Sequence, residues 1–94
     1  MIIVNQLIWN QWNVDHIARH DVTPEQVEEA CQGNPIVRES YSGCVMVIGP
    51  TKARKMIAAV LSPVDEEAGI YFTVTARSAS RRERRLYQDE KGGR

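Results

Sequence analysis

Hydrophobic residues fall at helical spacing in two early stretches and at strand spacing from residue 36 onward. Ahead of both, residues 2–9 are mostly apolar or β-branched and read as a strand. Asn10 or Asn13 then caps a first helix, on one side of which Trp12, His16, Ile17 and His20 gather. Asp21 ends that helix, because aspartate tolerates the left-handed backbone better than most side chains do. Thr23-Pro24-Glu25-Gln26 opens the second helix with a capping hydroxyl, a proline at the first helical position and a glutamine that reaches back to the cap. Val27, Ala30 and Cys31 face inward there, Glu28 and Glu29 face outward, and Gly33 closes the helix.

After Asn34-Pro35 the period becomes that of strands, and residues 36–41, 44–48, 54–61 and 70–76 are expected to be extended. Ser42-Gly43, Gly49-Pro50-Thr51 and the 65–69 stretch supply turn residues between them. Connections this short imply an antiparallel meander. A last helix runs from about Ser80 to Asp89, with residues 90–94 as a frayed tail. The expected order is β-α-α-β-β-β-β-α, an α+β domain over residues 1–94 with helices packed on a curved antiparallel sheet.

Length adds one bound, since 94 residues at 43% hydrophobic content build one core and not two. So small a domain gains from a second copy or a partner chain. The formal net charge is zero, but the charges are sorted. Residues 1–50 hold two basic and six acidic side chains, and residues 51–94 hold ten basic and six acidic ones. Such a chain can turn a basic face to a polyanion. Cys31 and Cys44 have the spacing of neither a zinc site nor a redox pair, and are expected as free thiols in a reducing compartment. No secretion leader opens the chain and no apolar run approaches membrane-spanning length, so a cytoplasmic protein without a membrane partner is expected.

Chemistry concentrates where the last strand gives way to the last helix. Ser80-Arg81-Arg82-Glu83 has the spacing of a capping box. Arg77 leaves the strand end beside a helix start whose free N–H groups already favour an anion. Its planar fork suits two phosphate oxygens at once, and a strand end holds a guanidinium better than a helix surface does. Of the arginines at 77, 81, 82, 84 and 85, about two are expected to contact a ligand while the rest are solvated.

Other candidates are less sharply defined. His16 and His20 are four residues apart on a helix, but they lack an intervening acid and a third histidine, so no metal is expected. His16 reads as a half-buried polar residue. His20 is either a cap-region residue bonding a carbonyl or a group titrating near neutral pH. Tyr87, one turn after Glu83, either packs on the sheet or serves as a proton donor near the strand end. Arg38 and Lys52 are further cations whose direction the pattern leaves open. Trp9 and Trp12 are expected to anchor the first helix to the core rather than to stack on bases.

Three pieces of the chain together resemble the BrnT family of toxins, within the wider RelE-like group. They are Ile8-Trp9-Asn10, the joint Arg19-His20-Asp21-Val22-Thr23-Pro24-Glu25, and the terminal Ala76-Arg77-Ser-Ala-Ser-Arg-Arg-Glu83-Arg84-Arg85-Leu-Tyr87. The family pattern reads lysine or arginine-His-Gly-Val-Ser/Thr at the joint and Ala-Arg-x-Ala-x-x-x-Glu-Arg-Arg-x-Tyr at the end. The terminal motif is the specific part. Asp21 replaces the usual glycine, and His16 stands where the family often has asparagine.

The resemblance implies a type II toxin, a ribonuclease blocked by a cognate antitoxin encoded beside it. It also implies a basic concave face for RNA, made by the meander and the last helix. No cofactor is implied. In RNA cleavage without a metal, a ribose 2′-hydroxyl attacks the adjacent phosphorus, and cations that bind the resulting charge speed the step. On this expectation Arg77 holds the phosphoryl oxygens and His20 is the general base or acid. Tyr87 donates a proton or orients the phosphate, while Arg38, Lys52, Arg81 and Arg84 bind the backbone. Two other readings remain: a non-catalytic module that binds an antitoxin-like DNA-binding partner, and an RNA-binding domain without turnover.

Overall fold

The computed structural model describes residues 2–92. In chain order the elements are β1 (Gln6–Ile8), α1 (Gln11–Ala18), α2 (Pro24–Gln32), β2 (Ile36–Glu39), β3 (Val45–Pro50), β4 (Met56–Asp65), β5 (Ile70–Ser78) and α3 (Arg81–Gly92). A short 3₁₀ turn at Tyr41–Gly43 joins β2 to β3. The five strands form one sheet in the order β1-β5-β4-β3-β2. β2 to β5 make the expected antiparallel meander, with Val47 opposite Ala59 and Ala59 opposite Ala76 across its middle.

The sheet is mixed, however, and not wholly antiparallel. β1 pairs with β5 in parallel, Leu7 beside Tyr71. The chain leaves β1 through both early helices and three strands before it reaches β5, and parallel pairing needs a long crossover of that kind. β1 is also much shorter than the apolar stretch at residues 2–9. Gly69 explains where it enters: its φ is 72°, and a Cβ there would lie 2.7 Å from the Asn5 side chain and 2.8 Å from the Ile3 carbonyl. The Gly69 carbonyl accepts the N–H groups of Asn5 and Gln6, at 2.8 and 3.1 Å.

Caps follow the sequence closely. Asn10 caps α1 and Asn13 answers from the third helical position, so both candidate caps belong to one capping box. Thr23 and Gln26 form the same reciprocal pair at α2. Asp21 sits at φ 63°, the left-handed turn expected of it. Arg54, expected to start a strand, has φ 69° in the Thr51–Lys55 turn, which delays β4 to Met56. β4 then runs past the expected end to Asp65, with register shifts at Val60/Leu61 and Pro63/Asp65 that bend a strand. Residues 90–92, expected in a frayed tail, belong to α3, while residues 93–94 lie outside the described part.

Alternation along the strands sorts two cores onto opposite faces of the sheet. Ile57, Ala59 and Leu61 of β4 and Val45 and Val47 of β3 join Ile17 of α1 and Val27 and Ala30 of α2 in the larger core. Ala58 and Ile48 point the other way, into a smaller cluster with Ile36 and Ala79 against which Tyr87 of α3 packs. α3 buries no residue completely. One face of the sheet is therefore covered by α1 and α2, and the other carries a lightly seated, arginine-rich helix.

Candidate functional site: an arginine-lined groove beside α3

α3 begins where β5 ends. The Ala79 N–H donates to the Met56 carbonyl at 2.9 Å, which holds the turn against β4. Ser80 caps the helix: its Oγ accepts the Glu83 N–H at 3.1 Å, and Glu83 Oε1 accepts the Ser80 N–H at 2.8 Å. The capping box expected here is thus formed.

Glu83 does more than cap. Its carboxylate takes the Arg77 guanidinium end-on, Nη1 to Oε1 at 2.7 Å and Nη2 to Oε2 at 2.8 Å. Arg77 Nη1 also donates to the Ser78 carbonyl at 3.2 Å. The Arg77 hydrogen bond, helped by those from Ser80, holds the Glu83 carboxyl down at about 2. The Arg77 guanidinium is in turn held more firmly protonated, chiefly by its hydrogen bond to Glu83. Glu83 is only 15% exposed and Arg77 is 43% exposed, so the carboxylate is shielded while the guanidinium still meets solvent.

Ser80 and Glu83 form one end of a groove of about 470 Å³ that lies between α3 and strands β2 and β3. Met46, Ile48 and Leu86 give it an apolar lining. Arg38 of β2 and Arg82 and Arg85 of α3 bring guanidinium groups to it, and Glu39, Glu83 and Asp89 bring carboxylates. Arg77 pairs with Glu83 and Glu90 with Arg38 from outside the lining, so Arg82 and Arg85 face Glu39 and Asp89 and the groove is close to neutral overall. Its volume lies within the range of ordinary small-molecule sites. Arginines on two elements and an apolar floor between them can hold a phosphate with a base or other flat ring beside it.

The groove gathers some of the expected residues and leaves others out. Arg38 lines it, with Nη2 also 2.8 Å from Glu90 Oε2 in a half-exposed ion pair worth under ~1 kcal/mol. Arg77 stands at its end behind Glu83. Arg81 is exposed, and Arg84 Nη1 turns back to the Ala79 carbonyl at 2.8 Å; neither lines the groove. Lys52 sits against α2 instead of α3, its backbone N–H donating to Glu29 Oε1 at 3.0 Å. Tyr87 packs on the smaller core, and its hydroxyl donates to the Asn34 carbonyl at 2.7 Å. His20 is exposed beyond the end of α1, its N–H bonded to the Ile17 carbonyl at 2.9 Å. Among the described residues no hydrogen bond or ring contact links His20 to Arg77 or Tyr87.

Arg82 and Arg85 are the groove residues that sequence reasoning passed over. The spacing Arg82–Leu86–Asp89, one residue per helical turn, was the signal that could have placed Arg82 on the sheet-facing edge of α3.

A second surface forms on α1. Trp12 stacks on His16 with ring centroids 5.0 Å apart and planes 5° from parallel, and His16 meets His20 edge-on at 5.9 Å. Trp12 also lies 6.1 Å from Phe72 of β5. At 55% exposed, Trp12 is not the core anchor expected of it, because α1 turns Asn13 and Ile17 inward in its place. Trp9 does pack against the larger core, and its indole N–H donates to Glu28 Oε2 at 2.9 Å, which draws Glu28 to the helix flank.

Cys31 and Cys44 are free thiols, and burial pushes the Cys31 thiol up to about 12, with the charge of Glu28 adding to the effect. No helix among the described residues is long and apolar enough to cross a membrane. Comparison with protein-family models, with curated proteins and with solved structures finds no match to this chain.

Proposed function

We propose that the protein is a metal-independent ribonuclease toxin of a type II toxin–antitoxin pair, which inhibits translation in the cytoplasm by cleaving RNA until its antitoxin binds it. The observation that carries this reading is the groove itself: arginines 38, 82 and 85 from β2 and α3 flank an apolar floor that ends at the Arg77–Glu83 pair. A single-stranded RNA offers phosphates to the guanidinium groups and an exposed base to the floor. The α+β fold with its meander and closing helix fits the resemblance described above.

In this reading the ribose 2′-hydroxyl attacks the adjacent phosphorus and the 5′-oxygen leaves, giving a 2′,3′-cyclic phosphate and a new 5′-hydroxyl. Arg77 and its neighbours bind the charge that builds on the phosphoryl oxygens. The proton transfer falls to His20 on the resemblance alone; the side chain is exposed and meets His16 edge-on at 5.9 Å. The experiment is induced expression with and without the neighbouring open reading frame, joined to RNA cleavage by the purified protein in EDTA. Growth arrest relieved by the neighbour, and cleavage in the chelator, support the proposal. Normal growth with intact RNA contradicts it.

One observation favours a second reading, an RNA-binding or antitoxin-binding module without turnover. The Tyr87 hydroxyl is engaged by Asn34, and His20 stands apart from the arginines. That reading predicts salt-sensitive RNA affinity with the RNA recovered whole.

A further inference from the structure

We propose that Glu83 is a positioning residue, which turns Arg77 so that its side edge, Nε–H and Nη2–H, receives two oxygens of a phosphodiester. The inference rests on the reading of an RNA-binding groove and names how one phosphate of that ligand is held.

A guanidinium has five N–H donors in a fixed plane, grouped as an end-on pair, a side pair and one outer N–H. Glu83 takes the end-on pair, one hydrogen each from Nη1 and Nη2. The Ser78 carbonyl takes the outer hydrogen of Nη1. Nη2 lies on the same side of the guanidinium as Nε–H, so these two adjacent donors remain, and among the described residues neither has a further partner. A side pair left open in this way is the other geometry in which arginine binds an oxyanion bidentately. The Arg77 side chain as a whole is 43% exposed, so it is open to solvent.

Three contacts fix the plane of that edge. Glu83 is itself tied down by the Ser80 N–H at 2.8 Å and by its place in the first turn of α3. The Ser78 carbonyl holds the guanidinium on its third side. A long, flexible side chain is thereby ordered before any ligand arrives, which removes much of the entropic cost of binding. The opposite role, a carboxylate that occupies Arg77 and must be displaced by the phosphate, predicts the reverse response to substitution.

The test uses the full chain with arginine labelled at Nε, titrated first with inorganic phosphate and then with a short single-stranded RNA, and read by NMR at the Arg77 Nε–H. The expected result is a saturable shift of that signal with both probes. Glu83→Gln should weaken the RNA response about tenfold, because the guanidinium is no longer held in plane by a charged partner. Thr23→Ala, which removes the cap of α2 and touches neither the groove nor the Arg77 pair, should keep wild-type affinity even where its Tm falls as far, and Arg77→Lys should not restore binding. An unmoved Arg77 signal while other arginines respond overturns the inference and leaves the RNA reading standing. Tighter binding by Glu83→Gln overturns it in favour of displacement. An Arg77 signal that responds to phosphate but not to RNA keeps the side-edge site and overturns the RNA reading. No response by any arginine to either probe removes both.

Discussion

Asn13 joins the first helix to the central sheet through the Thr73 carbonyl, which accepts from Asn13 Nδ2 at 3.1 Å. The same amide nitrogen donates to the Ile8 carbonyl at 2.9 Å, and Asn13 Oδ1 accepts the Asn10 N–H at 2.8 Å. One fully buried side chain thus caps its own helix and bridges β1 to β5. Asn13→Ala would leave these backbone groups without partners and is expected to cost about 2–4 kcal/mol, read as the shift in a urea denaturation midpoint. Asn13→Asp should also destabilise at neutral pH, since it sets a buried carboxylate against two carbonyl oxygens.

Beside that bridge, Thr73 Oγ1 is buried and has no hydrogen-bond partner among the described residues. Its hydroxyl gives up water without gaining a bond in exchange. Thr73→Val keeps the shape and removes the orphaned group, so it is expected to be neutral or to stabilise by up to ~1 kcal/mol. A thermal melt at fixed pH checks it.

The Arg77–Glu83 pair makes stability depend on pH in one direction only. The Glu83 carboxyl sits at about 2 in the folded protein against an ordinary value of 4.5, so the folded state favours the ionised form. Its contribution is complete above pH 4.5 and disappears as the pH falls through about 2. Because Arg77 is partly exposed, water screens the pair, and the contribution is expected near 1–2 kcal/mol including the cap. The gap in Tm between wild type and Glu83→Gln should hold steady above pH 4.5 and close toward pH 2. A constant gap across that range would show that the carboxylate charge contributes nothing.

Groove arginines and remote cations should separate in RNA binding. Arg82→Ala and Arg38→Ala are expected to weaken affinity and to lower the salt slope by roughly 1 each, as the loss of one phosphate contact does. Lys52→Ala, seated against α2, should leave both unchanged. Filter binding across a salt series measures the difference.

Local signals were the legible part of this chain. The Thr23–Gln26 and Ser80–Glu83 boxes and the Asp21 turn depend on neighbours within a few residues, and each formed as read. The meander was legible for the same reason, since short turns dictate antiparallel partners. What required coordinates was every relationship between distant segments. β1 finds β5 in parallel because the intervening chain can cross over, a choice invisible in a strand pattern. Trp12 surfaced because Asn13 and Ile17 won the inward side of a short helix. At the site, the sequence singled out Arg77 and the capping glutamate without revealing that they hold each other. Helical phase alone did not tell which α3 arginines face the sheet, and Tyr87 and Asn34, distant in sequence, meet only in the fold.

The most direct measurement is cleavage of a single-stranded RNA by the purified protein in EDTA, comparing wild type with Arg77→Ala and identifying the new ends. Wild type is expected to give 2′,3′-cyclic phosphate products, and Arg77→Ala a rate lower by about 10²–10³-fold, as for loss of one oxyanion donor. Cleavage by Arg77→Ala at the wild-type rate, or intact RNA from the wild type itself, would contradict this expectation.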